Sequence, residues 1–201
     1  IASAGEDSYI KIWEIQNDNL NEFQKIKINK RPIKQLSFSP DGNYLISLED
    51  IKGLINIWEK DGNKYTKSDI FKDYSGYDFF SFSKKNNYFA LGYFSGINLY
   101  KYENEKFQFK YSLTYEVDVY TENFDNAVSD ISFNSDGNLL AIAHSKTISL
   151  WDCAKQQYEE ELTVTDSTYY KINRINFSAE SNYLFVELDT GLGDLLKIYK
   201  K

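Results

Sequence analysis

Methionine is absent from the 201 residues. Residue 1 is therefore not a translation start, and the chain opens in mid-strand, so it is expected to be part of a longer polypeptide. Cysteine occurs once, as Cys153. One thiol rules out an intrachain disulfide framework and fits a reducing, intracellular and cytoplasmic setting. Histidine also occurs once, as His144. Without a second histidine, and with one cysteine, no Cys/His metal site can be assembled, and no metal or other cofactor is expected. Positive charge is scarce, with 23 Lys and Arg against 30 Asp and Glu, a net charge of −7 and a pI near 4.9. A phosphate backbone demands a basic face, so no direct nucleic-acid partner is expected, nor a polybasic membrane-surface patch. Apolar runs stop at about five residues, where a spanning helix needs about 20, so no membrane insertion is expected. No signal-peptide pattern opens the chain. No G-x-S-x-G, P-loop, G-x-G-x-x-G or Ser/His/Asp motif occurs, and the chain is expected not to be an enzyme. Arg31 and Arg174 are the only arginines; the abundance of Lys, Asn, Ile and Tyr reads as the codon bias of an AT-rich genome.

What is present is one unit, repeated. Leu139–Asp152 reads LLAIAHSKTISLWD: a strand, a tight turn and a second strand ending in Trp151-Asp152. Versions of it recur at Ile1–Glu14, Leu45–Glu59, Phe89–Lys101 and Leu184–Lys200. Two anchors mark each unit. The first is an aromatic, a polar residue and a turn: Phe38-Ser39-Pro40-Asp41-Gly42, Phe82-Ser83, Phe133-Asn134-Ser135-Asp136-Gly137 and Phe177-Ser178. The second closes the later strand: Trp13, Trp58, Tyr100, Trp151 and Tyr199. Anchor spacings of about 42 to 51 residues sit at or just above a four-strand period. Apolar residues alternate with period two, as in Ile10–Trp13, Ile148–Trp151 and, Ile33 aside, at Leu36 and Phe38; no helical stripe is found. The Asp-Gly pairs at 41–42 and 136–137, and Asp61-Gly62-Asn63, have the composition of hairpin turns.

FSPDGNYLISL followed by INIWE, and FNSDGNLLAIA followed by TISLWD, resemble WD40 repeats. The resemblance extends over essentially the whole chain. It implies an all-β fold, a WD40-type β-propeller fragment of about five four-stranded blades, the first and last incomplete. The expected divisions are 1–31 (partial), 32–76, 77–126, 127–170 and 171–201 (partial), all within one propeller. The first blade would lack its innermost strand, with Ile1–Ala4, Tyr9–Trp13 and Phe23–Ile28 as its remaining strands; the last would stop after its third. The family's Gly-His pair before the inner strand is missing. Its histidine positions hold Asn29, Asp73, Phe124 and Thr168. The family's turn aspartate survives only as Asp7, with Lys52, Phe94 and Ser145 at the matching places. The family's Asp-His-Ser-Trp hydrogen-bond network is thus expected to be absent or replaced, with apolar packing and Tyr doing more of the stabilising.

Few residues invite a chemical role. His144, at a turn, is read first as a turn residue and second as a partner contact. The acidic stretch Glu116–Asp125 (EVDVYTENFD) lacks the alternating Asp/Asn and central Gly of a Ca²⁺ loop and is expected to be a solvated loop, as is Glu159-Glu160-Glu161 at the start of an outer strand. Asn176-Phe177-Ser178 fits a glycosylation acceptor, but Phe177 is a core anchor. Gly191-Leu192-Gly193-Asp194 reads as a hairpin turn. Cys153 lies at a strand end and is expected to be inert.

The resemblance implies a non-catalytic platform for binding other proteins, within a larger multidomain protein or multiprotein complex. Alternatives are a permanent subunit of a cytoskeletal, ciliary or RNA-processing assembly, or a regulatory domain of an enzyme encoded elsewhere in the parent chain. Transferred position by position, the partner-binding face would include Glu6, Arg31, Tyr77, His144, Tyr170 and Arg174. Tyr and Arg are over-represented among interface hot spots, which agrees.

Overall fold

A computed structural model of the chain describes residues 1–28, 32–50, 53–68, 76–104, 106–116, 127–164, 171–191 and 193–200. These form eighteen strands and no helix. The first sheet holds β1 (Ala2–Ala4), β2 (Tyr9–Gln16) and β3 (Asn19–Lys27). The second holds β4 (Ile33–Phe38), β5 (Tyr44–Glu49), β6 (Ile55–Asp61) and β7 (Lys64–Ser68). The third is built from β8 (Tyr77–Phe82), β9 (Tyr88–Tyr93), β10 (Gly96–Glu103) and β11 (Lys106–Thr114), and the fourth from β12 (Val128–Phe133), β13 (Leu139–His144), β14 (Thr147–Asp152) and β15 (Gln157–Thr163). The last has β16 (Lys171–Phe177), β17 (Tyr183–Asp189) and β18 (Asp194–Lys200). Within every sheet the strand order follows the sequence, so each is a meander of propeller-blade type. The three-stranded first and last sheets are the incomplete blades. The chain divides into two compact units, Ile1–Asp78 and Phe79–Lys201.

The two anchors fix the register. Leu45 stands opposite Trp58, Phe89 opposite Tyr100, Leu140 opposite Trp151 and Leu184 opposite Tyr199. A one-residue slip would move every side chain to the opposite face of its sheet, so this repeat of one register in four blades reflects the alternation in the sequence. The polar residue after the first anchor closes the turn. Ser39 Oγ accepts from the Tyr44 N–H at 2.9 Å, Asn134 Oδ1 from Leu139 N–H at 3.0 Å and Ser178 Oγ from Tyr183 N–H at 3.1 Å. Gly42 and Gly137 take φ of +72° and +70° in those turns, where a side chain would be strained.

One irregularity in the sequence has a structural cause. Ile33, Leu36 and Phe38 break strict alternation, yet all three pack in one core. The register shifts between Ile33 and Gln35, so a bulge absorbs one residue. The same shift occurs between Val128 and Asp130 and between Ile172 and Arg174. It explains the spacing of Val128 to Ile131 and of Ile172 to Ile175, since a bulge returns the strand to its original face. The first blade differs from expectation in its outer hairpin. β2 runs on to Gln16 and β3 begins at Asn19 rather than Phe23. Asn17 and Asp18 adopt φ of 49° and 62°, the two-residue hairpin geometry that Asn and Asp tolerate.

In the unit Phe79–Lys201 each blade presents two faces. Leu140, Ile142 and Trp151 of the fourth blade pack with Ala90, Ile97, Leu99, Tyr111 and Leu113 of the third. The alternate residues Leu139, Ala141, Ala143, Ile148 and Leu150 pack with Ile172, Ile175 and Val186 of the fifth. Both faces of β13 are buried along its whole length. In the unit Ile1–Asp78, Ile10, Ile12 and Ile26 pack on Leu45, Trp58 and Tyr65.

Candidate functional site

The residues expected on a partner-binding face are placed as follows. Glu6 is exposed in the turn between β1 and β2, beside Asp7, whose Oδ1 accepts from the Tyr9 N–H at 3.3 Å and whose Oδ2 lies 3.1 Å from Lys11 Nζ. Tyr77 opens β8 and is buried, its N–H bonded to the Gly53 carbonyl at 3.2 Å. His144 ends β13 and is buried at 8% exposure. Arg174 is exposed on β16. Arg31 and Tyr170 lie outside the described residues. So do Lys52, Asn29, Asp73, Phe124, Thr168 and the acidic stretch from residue 117 onward.

The Trp anchors show which part of the hydrogen-bond network implied by the WD40 resemblance is present. Trp13 Nε1 donates to Ser3 Oγ at 2.9 Å and Trp58 Nε1 to Ser47 Oγ at 3.3 Å. Ser3 and Ser47 occupy equivalent places on the second strand of their blades. The fourth blade has Ile142 there, and Trp151 Nε1 donates instead to the Tyr111 hydroxyl of the third blade. The Ser–Trp part thus survives in two blades and is replaced by a tyrosine in a third. Asp152 turns its carboxylate into the following loop, where Oδ1 accepts from Ala154 N–H at 2.9 Å and Lys155 N–H at 2.8 Å.

His144 sits in a network of its own. Its Nε2 lies 2.8 Å from Ser149 Oγ across the β13–β14 hairpin. The Tyr115 ring stacks on the imidazole with centroids 4.3 Å apart. Glu49 and Asn56 hold the same two positions in the second blade and are joined at 3.2 Å. A bonded polar pair at this place is therefore a structural element of the repeat. Burial holds the His144 pKa below its usual range, against the pull of Glu161. Burial also raises Tyr115. His144 Nδ1 is buried and has no hydrogen-bond partner among the described residues.

These residues floor a groove of about 390 Å³ between the third and fourth blades. Leu113 and Ile142 contribute its apolar part; Tyr115, Trp151 and Tyr158 its rings; Glu116 and Glu161 its carboxylates. The strand register explains the grouping. Ile142 pairs with Ser149 and Ser149 with Glu161, so the three side chains share one face of the blade. Glu161 is exposed at the rim and accepts from the Tyr158 hydroxyl at 3.3 Å.

The Ser149–His144 distance is that of a nucleophile and its base. A base of that kind needs a third group to hold its other nitrogen, and among the described residues nothing bonds Nδ1. The arrangement ties Ser149 Oγ to His144 Nε2 and leaves His144 Nδ1 without a partner among the described residues. Among the described residues no group of three or more His, Cys, Asp and Glu side chains is placed to hold a metal ion. Cys153 is buried, and burial pushes its thiol up to about 12. The described residues include no helix long and apolar enough to cross a membrane.

Sequence reasoning singled out His144 but missed Tyr115, Tyr158 and the groove. Glu116 and Glu161 were grouped with their acidic neighbours as solvated charge. The available signal was alternation, and a bulge hides it. Tyr158 and Glu161 are three positions apart, which in a regular strand would put them on opposite faces. The register of β14 with β15 shifts between Leu150 and Trp151, so Tyr158 stands opposite Trp151 and Glu161 opposite Ser149. The extra residue returns both side chains to the groove face.

Residues 115–152 match the model of the family described as "WD domain, G-beta repeat". No curated protein matches the chain. The matched stretch runs from the Tyr115 that stacks on His144 to the end of the Trp151-Asp152 pair, taking in the inner three strands of the fourth blade. Residues 115–152 thus match one WD40 repeat, and three further blades repeat its register.

Proposed function

We propose that this chain is a non-catalytic platform on which other proteins dock, as part of a larger assembly inside the cell. The WD40 repeat at 115–152 carries the reading, because WD40 repeats generally mediate protein–protein interaction. The close-packed blades agree with it, since a rigid scaffold lets surface side chains bind without an ordering cost. The acidic net charge disfavours nucleic acid as the partner, and the single buried thiol suits a reducing compartment.

Among the described residues of the expected face, Arg174 in one unit and Glu6 in the other are exposed. A photo-crosslinking amino acid placed at either position is expected to capture a discrete partner in cells of the source organism. A substitution on a distant exposed strand residue such as Glu22 should capture less. Equal capture at all three positions, or none, would count against this face.

A second reading is a permanent structural subunit. It draws on Leu195, Leu196 and Ile198, which are 40%, 60% and 58% exposed on β18. Apolar side chains of this size on an edge strand favour a constitutive, hydrophobic contact. Replacing all three by Thr should raise the solubility of the isolated chain if that reading holds, and leave it unchanged otherwise.

A further inference from the structure

We propose that the groove between the third and fourth blades receives an arginine side chain from a partner polypeptide. This rests on the docking role proposed above and names the chemistry of the docked group.

Charge is the first reason. The lining carries two carboxylates, Glu116 and Glu161, and no lysine or arginine. His144 adds no positive charge at neutral pH, because burial disfavours its protonated form. An anion would be repelled. An apolar side chain would cover Glu161 without compensating it, which burial penalises. The rings are the second reason. Tyr115, Trp151 and Tyr158 line the same cavity, and aromatic faces attract cations electrostatically. Guanidinium is planar, stacks on rings and bonds a carboxylate with two parallel N–H groups, which an ammonium cannot do. The third reason is His144 Nδ1, a buried atom without a partner among the described residues. In the tautomer that donates from Nε2 to Ser149 Oγ, Nδ1 is left as an acceptor, and a guanidinium brings the donors it lacks. Size agrees. A cavity of about 390 Å³ is at the small end of ligand sites, roughly 300–1,000 Å³, and suits one long side chain with its flanking backbone.

The test is a titration of the chain with the capped peptide acetyl-Gly-Gly-Arg-Gly-Gly-amide, read at the Trp151 indole N–H by NMR. A saturable shift is expected. The peptide with Lys in place of Arg should bind more weakly, and the peptide with Leu should give no saturable shift. Glu161→Gln, an exposed change on β15, should weaken arginine binding roughly tenfold, as loss of a charge-assisted bond implies. Tyr158→Leu should weaken it about threefold, the scale of an exposed cation–π contact. No saturable shift with the arginine peptide, or affinities unchanged in both variants, would overturn the proposal. Equal binding of the lysine peptide would overturn the choice of arginine. Failure here is separable from failure of the docking role. If partner capture from position 174 persists in Glu161→Gln while the peptide does not bind, the platform stands and the groove reading falls.

Discussion

Replacing Asp130 by asparagine should flatten the pH dependence of folding in the unit Phe79–Lys201. Asp130 lies in the bulge of β12. Its Oδ2 accepts from the Ile175 N–H of the next blade at 2.8 Å, and its Oδ1 from its neighbour Ile131 N–H at 2.9 Å. Burial pushes the carboxyl up to about 6 from an ordinary 3.8, against those two N–H donors and Arg174. A raised carboxyl binds its proton more tightly in the folded state. Its contribution to stability is therefore complete below the unfolded value of 3.8 and is lost as pH rises through about 6. The difference of about two pH units corresponds to about 3 kcal/mol across that window. Carboxylates that lysines hold below the ordinary range, such as Glu103 by Lys110 and Glu159 by Lys155, give the opposite slope. They are common to wild type and variant and cancel in the difference. The assay is urea unfolding of both proteins between pH 4 and 7. Trp151 is the only tryptophan in this unit, so its resonance in fluorotryptophan-labelled protein reports the unit separately. The stability of wild type relative to Asp130→Asn should fall by about 2 to 3 kcal/mol from the acidic to the neutral end. A difference that stays constant, or rises with pH, would refute the account of Asp130 as a carboxyl kept partly protonated by burial.

Two further outcomes test the packing. Ile142 is fully buried between the third and fourth blades, so Ile142→Ala should cost about 3 kcal/mol through lost transfer energy and a cavity; a loss under about 1 kcal/mol by the same unfolding assay would mean the interface collapses around the gap. The Cys153 thiol, buried and pushed up to about 12, should react with a thiol-specific disulfide reagent no faster than the protein unfolds, and rapid stoichiometric labelling of native protein would contradict its place in the core.

The all-β class, the repeat and the register were legible in the sequence because they follow from local chemistry. Period-two alternation can be satisfied only by strands, the Asp-Gly pairs set tight turns, and one aromatic at the end of each third strand marks the unit. The polar residue after each Phe anchor was legible as a signal, because its side chain closes a turn only a few residues away. What stayed hidden was anything that depends on two blades meeting. Trp151 reads as a packing anchor of its own blade, but its hydrogen bond runs to Tyr111, forty positions earlier in the chain. His144 read as a turn residue, yet tertiary packing buries it under Tyr115 and ties it to Ser149. The bulges that bring Ile33, Val128 and Ile172 into the core appear in the sequence as a broken alternation and acquire meaning only from the ladder opposite. The groove is the extreme case. Its rings and carboxylates come from β14, β15 and the two residues that follow β11, and their approach is decided by how one blade stacks on the next, a contact between distant segments that no local pattern encodes.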